Sequence, residues 1–189
     1  MGFNDHSIGA YKPHKGGAQE PTAYGDYLLL ERQSADRLSE SFTAKAFGAV
    51  CAGMLVTVKR YQQFISESEP EASEFLDALG TEALLEHPNI CQLLDFGYLE
   101  DHLYTVVEHV VGLDLDEVVR EARQGRPIPW PVAVFIVIQL LRALEAAHEQ
   151  GPEPVVHKFL TPSHAAIGHD GRVRVRGFSS DLKFGWTLT

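Results

Sequence analysis

The sequence predicts an α+β fold: an antiparallel sheet of five strands with one inserted helix, followed by a reduced and mainly helical part. Three observations carry this. Short runs of β-branched and aromatic residues, separated by polar turns, fill the stretch from Tyr27 to Val110. One helical pattern interrupts them after Pro70. The most sustained helical segment, Trp130 to His148, follows them.

In chain order, Tyr27–Glu31 and Ser41–Lys45 read as two strands around a polar turn, and Leu55–Tyr61 as a third, alternating strand. Ser66-Glu-Ser-Glu-Pro70 breaks the chain. Phe75, Leu76, Leu79, Ala83 and Leu84 then fall near helical spacing, ending before His87-Pro88. Ile90–Phe96 and His102–Val110 form a hairpin turning at Gly97-Tyr98. Leu113–Gly125 is a short helix whose Asp114 and Asp116 suit an N-terminal turn. In the segment Trp130–His148, Pro131 fits a first helical position and Gly151 the residue past the end. Gln139, Arg142 and Glu145 give its second half a polar stripe. Its first half, Val132–Ile138, is apolar all round and needs cover on several sides. Arg172-Val-Arg-Val-Arg176 alternates strictly, a strand with three arginines on one face. Residues 1–23 read as a flexible arm, 24–110 as the sheet-bearing domain and 111–189 as the helical one.

The chain has 189 residues and a net charge of −10, which argues against nucleic acid or an anionic membrane as the main partner. Cys51 and Cys91 need not pair, so a reducing compartment is the simplest home. The N-terminus lacks the apolar core of a signal peptide, and His6 stands where myristoylation wants Ser or Thr. The longest unbroken apolar stretch, Trp130–Ile138, is about half of the roughly 20 residues that span a bilayer. A cytoplasmic chain is expected. Between Tyr61 and Val119 stand 14 Asp or Glu and no Lys or Arg, either a solvated face or a docking surface for a basic segment.

This order, with Val56-Thr-Val-Lys59, His87-Pro-Asn-Ile90, Val107-Glu-His-Val-Val-Gly112, His157-Lys-Phe-Leu-Thr-Pro162 and Gly171-Arg-Val-Arg-Val175, resembles the eukaryotic-like (Hanks-type) serine/threonine protein kinases, bacterial members included. The resemblance runs from Tyr27 to about Ser179 and implies a protein-kinase-like fold. It also implies positions for catalysis, which are degenerate here. The stretch Gln33–Ser41, where a phosphate-cradling loop belongs, contains no Gly. Lys59 matches the phosphate-binding Lys. Its Glu partner falls at Ala78, and Glu82, one turn later, could substitute only if the helix shifted. The base position is Phe159, which can neither accept a proton nor orient a hydroxyl. The metal-binding Asn position is His164, and the metal-binding Asp falls at Gly177 of Gly177-Phe-Ser179. A literal Asp95-Phe-Gly97 lies on the wrong side of the catalytic loop. Asp170 and Asp181 could hold a metal only after rearrangement. His157 is expected to bond the backbone of its own loop.

The resemblance therefore implies a degenerate, C-terminally truncated pseudokinase of bacterial type. The expected function is an inactive scaffold or regulatory module for protein partners, self-associating as a homodimer or joining a hetero-oligomer, with no cofactor. Candidate interface residues are Val134, Phe135 and Ile138, whose usual cover is missing, and Arg172, Arg174 and Arg176. The alternative is a nucleotide-responsive switch or weak phosphotransferase using Lys59, Glu82, Glu108 and Val110 around an ATP site.

Overall fold

Alternation in the first half of the chain becomes a six-stranded antiparallel sheet in the computed structural model, which describes residues 20–35, 39–48, 51–62, 69–151 and 153–178. The strands are β1 (Thr22–Tyr24), β2 (Tyr27–Ala35), β3 (Ser39–Ala46), β4 (Leu55–Tyr61), β5 (Leu93–Leu99) and β6 (His102–Glu108), in the order β1-β2-β3-β4-β6-β5. The sixth strand is β1, part of the segment expected as a free arm. Thr22 and Ala23 pair with Leu29 and Leu28 across a turn at Gly25-Asp26. Gly25 has φ +52°, a left-handed conformation that favours glycine, and a Cβ there would also press on the Leu99 side-chain tip at 2.7 Å. The rest of the arm, 1–19, lies outside the described residues.

A flat sheet would hold β1 and β5 about 24 Å apart, at five strand spacings. Here they touch. The Tyr24 hydroxyl donates to the Leu99 carbonyl at 3.2 Å, and Tyr27 and Tyr104 both donate to Asp95 Oδ2, at 2.6 and 2.9 Å. The sheet is curled onto itself, and Asp95 of the out-of-place Asp-Phe-Gly is the clip. Burial, and then the hydrogen bond to Asp95 and its charge, hold both phenols above their ordinary pKa. Tyr27, Leu29, Phe42, Ala44, Val56, Val58 and Val106 fill the inside of the curl.

The other face of the sheet is covered by α1 (Glu69–Glu82), which packs Ala72, Phe75 and Leu79 against Tyr61, Leu93 and Leu103. The β5–β6 hairpin turns at Glu100-Asp101, not at Gly97-Tyr98. Both turn residues have positive φ, 49° and 62°, the geometry a two-residue hairpin turn demands and one that Asp tolerates. Gly97 sits inside β5 opposite Tyr104.

Below lie β7 (Gly112–Asp114), α2 (Leu115–Arg123), α3 (Trp130–His148), a 3₁₀ turn Pro162–His164, β8 (Ala165–Gly168) and β9 (Val173–Val175). The strands form a second sheet, β7-β8-β9, two strands of which the alternation did not announce. Gly112 makes that pairing possible: a Cβ there would lie 2.0 Å from the Ile167 carbonyl oxygen. One side of α3 packs on β9, with Ala143 and Ala147 against Val175 and Phe178, and Ile136 against Val173. The two halves are joined at Ile90, which bridges to Val175 in parallel, flanked by Cys91 N–H to Val175 O and Val175 N–H to Asn89 O, both 2.8 Å. The Asn89 amide adds bonds to the Val173 carbonyl and to Gln139 of α3.

Candidate functional site

The loop after α3 carries the positions that the resemblance makes catalytic. Phe159 is 48% exposed, and its ring carries no group that could accept a proton. It follows Lys158, whose φ is +60°, and the Phe159 N–H donates to the His157 carbonyl at 2.6 Å. That is a tight γ-turn with a strained centre. His164 closes a capping box on the 3₁₀ turn: its Nδ1 lies 2.8 Å from the Thr161 hydroxyl and accepts the Thr161 N–H at 3.3 Å. One of its two ring nitrogens is thereby engaged in the cap. His157 is buried, and its Nε2 lies 3.0 Å from the Arg176 carbonyl. Its ring packs on Phe178 and His164, at 4.9 and 5.1 Å between centroids. It ties the loop to the segment after β9 rather than to its own backbone. Among the described residues no three His, Cys, Asp or Glu gather as a metal group.

The carboxylates nearest this loop are otherwise occupied. Asp170 takes both ends of the Arg174 guanidinium, at 2.7 and 3.3 Å, and these bonds hold its pKa down at about 2. Asp181 lies outside the described residues, as does Asp36–Leu38 at the tip of the glycine-free loop. The flanks of that loop continue β2 and β3, with Gln33 donating to Thr43 at 2.9 Å and Ser34 against Ser41 at 2.6 Å.

Lys59 sits on β4 opposite Thr105, with its ammonium 5.1 Å from the Tyr61 ring centroid. Glu82 ends α1 at 3% exposure, and its Oε1 accepts the Phe178 N–H at 3.2 Å. The Glu82 carboxylate thus holds the backbone next to Gly177. Glu108 ends β6 and pairs with Arg174 Nε at 3.6 Å. Val110 follows, half-buried. Sequence reasoning missed Thr57 and His109 beside them. Thr57 Oγ1 and His109 Nδ1 are 3.0 Å apart. Burial, and then the positive charge of Arg176, hold the imidazole below its ordinary pKa, with Asp114 opposing. The available signal was parity: Thr57 is two residues from Lys59, hence on the same face of β4.

The three arginines expected as one docking face are divided. Arg172 is exposed. The Arg174 side chain is 12% exposed and bridges Glu108 and Asp170. Arg176 donates to Asp114 at 2.7 Å and to the Ser163 carbonyl at 3.1 Å. The acidic run is likewise partly internal. Glu82, Asp95, Glu108 and Asp114 all have partners inside the fold, and Asp116 and Glu117 face Arg120. The basic strand therefore neutralises part of the acidic stretch, which corrects the expectation that both are free surfaces.

On α3, Trp130 is 77% exposed and Leu141 58%, with Val132, Val134, Phe135, Val137 and Ile138 exposed between them. By length and composition this helix is apolar enough to cross a membrane.

A fold search places the chain on the kinase domain of Mycobacterium tuberculosis PknI, with a TM-score of 0.71 over 86% of this chain and 62% of that one, at 18% identity. The sequence is 31% identical over 161 residues to the tyrosine-protein kinase MasK of Myxococcus xanthus, covering 82% of this chain. It is also 31% identical over 123 residues to a probable serine/threonine-protein kinase of Clostridium perfringens. This chain is a Hanks-type kinase-like protein. Its α+β fold is the kinase fold, with one strand more than expected in the larger sheet. No protein-family model matches the sequence. The kinase-like chain spans 25% of the length of MasK and 17% of the Clostridium protein, and both relatives are named as kinases.

Proposed function

We propose that this kinase-like chain is a catalytically inactive pseudokinase that serves as a protein-interaction or regulatory module in the cytoplasm and uses no nucleotide cofactor. The observation that carries the reading is the loop 157–164. A phenylalanine stands at the base position and points no acceptor at a substrate, while the histidine at the metal position is engaged in a cap. Phosphoryl transfer works by positioning and charge neutralisation, so losing base and metal ligands together removes the means of both.

The partner surface is the exposed side of α3, centred on Val134, Phe135 and Ile138, and the simplest partner is a second copy of the chain across a two-fold axis. A protein partner suits this helix better than a bilayer. Its opposite side is packed under β9 through Ile136, Ala143 and Ala147, and a spanning helix cannot keep a soluble sheet on its flank.

Two measurements test the proposal. Transfer of labelled phosphate from ATP to the chain itself or to casein should not exceed a protein-free blank with Mg²⁺ or Mn²⁺. Light scattering after size exclusion should give a mass above the monomer at tens of micromolar, falling to the monomer in Phe135→Asp. Transfer that disappears in Lys59→Ala overturns the inactive reading. A wild-type monomer overturns the self-association.

A further inference from the structure

The face of β4 that carries Lys59 meets the segment after β6 at Thr57. Alternation puts Thr57, Lys59 and Tyr61 on one face of β4, opposite the buried Val56 and Val58. Tyr61 on that face packs with α1, and Val107 of β6 stands directly beside Thr57. In phosphoryl transfer on this fold the lysine of the Val-Thr-Val-Lys run meets the phosphates. The base must then lie at the other end of the same face, toward residues 108–110. Thr57 is two residues from Lys59 in that direction, about 7 Å along the strand.

At that level the space is already bridged. Thr57 Oγ1 and His109 Nδ1 stand at hydrogen-bond distance, and no planar ring can pass between two groups in such contact. The imidazole is half-buried, and Arg176 close to it is fixed by Asp114 and the Ser163 carbonyl. A neutral ring is the form such a place favours, and its lowered pKa agrees. Thr57 thus tethers His109 from the sheet above, while the charges of Arg176 and Asp114 act on it from the lower half.

We propose that the Thr57–His109 pair is an internal plug, the imidazole occupying the position of a nucleotide base, so that the cleft excludes adenine compounds until the ring is removed. This rests on the pseudokinase reading and deepens it. It assigns the loss of nucleotide to the base end of the cleft, independently of the glycine-free loop and of the missing metal ligands, which bear only on the phosphates.

The test is calorimetric titration with adenosine and, separately, Mg-ATP, on the wild-type chain, His109→Ala and Thr57→Val, with the unfolding midpoint of each recorded without ligand. Adenosine reports on the base end alone. The expected result is no saturable binding by the wild type and a gain of at least about tenfold in adenosine affinity in His109→Ala. Thr57→Val keeps the ring but removes its tether, and a smaller gain is expected. Adenosine binding by the wild type as tight as by His109→Ala overturns the plug. So does the absence of a gain in whichever variant keeps the wild-type midpoint, and Thr57→Val decides alone if His109→Ala unfolds. Neither failure touches the pseudokinase reading, which the phosphate-transfer assay decides separately.

Discussion

The curled sheet and helix α3 are both rich in Val, Ile, Leu and Phe, yet the fold treats them differently. The sheet uses its apolar residues on both faces: one inside the curl and the other under α1. Helix α3 buries a single stripe, Ile136, Ala143 and Ala147, and leaves Trp130 through Leu141 largely in solvent. The comparison teaches that apolar content alone does not say where a core is. What matters is whether the chain supplies a second surface to meet it. In the sheet, the tyrosine–Asp95 clip brings the two edges together and creates that surface. On α3, the described residues cover one side, through β9 and the residues clustered with it.

The sharpest contrast is between two phenylalanines. Phe75→Ala, in the α1 core, is expected to cost about 3–5 kcal/mol in urea unfolding, while Phe135→Ala on the exposed side of α3 should stay within about 0.5 kcal/mol at concentrations where the chain is monomeric. Equal costs would mean that α3 is covered within the monomer. Next in size is the link between acidic stretch and basic strand. Arg174→Met takes from the partly exposed Glu108 and Asp170 the cation they share and is expected to cost about 1–2 kcal/mol, with Glu108→Gln in the same chain recovering part of it. No recovery would show that the pair is not coupled. Asp95→Asn weakens the acceptor that two phenols share and should cost about 1–2 kcal/mol while leaving the far-ultraviolet spectrum unchanged. A neutral outcome would mean that the curl is held by packing alone.

The smallest effect is on pH dependence. His109 has a folded pKa below its unfolded one, so its contribution is present above the unfolded value near 6.5 and is lost as pH falls through the lowered folded value. Unfolding midpoints measured from pH 8 down to 5 should decline more steeply in the wild type than in His109→Gln. Parallel curves would remove His109 as the source.

Much of the architecture was legible because period and end signals were local. Leu55–Tyr61 and Trp130–His148 appear with the bounds their residues announce. The hairpin turn was misplaced because Gly97 looks like the turn residue, whereas Glu100-Asp101 adopts positive φ without glycine. The strands β7 and β8 are four residues or fewer, too short to show a period, and are defined by pairing with each other and, for β8, with β9. At the candidate site, Phe159, His164 and Gly177 were found by position in a motif. Thr57 and His109 were not, since they are 52 residues apart and neither belongs to a catalytic set.

By itself, then, the sequence determined the identity of the side chains at each kinase-like position, the sheet-then-helix order and the apolar helix, because these follow from local residue order and periodicity. The tertiary structure alone decided which charges face one another. It turned Glu82 to Phe178, Arg174 to Glu108 and Arg176 to Asp114, and brought His109 to Thr57. The physical reason is range. Hydrophobic periodicity is written within a few residues, but a hydrogen bond or ion pair between distant residues is chosen by how the sheets curl and dock, and no local pattern encodes its partner.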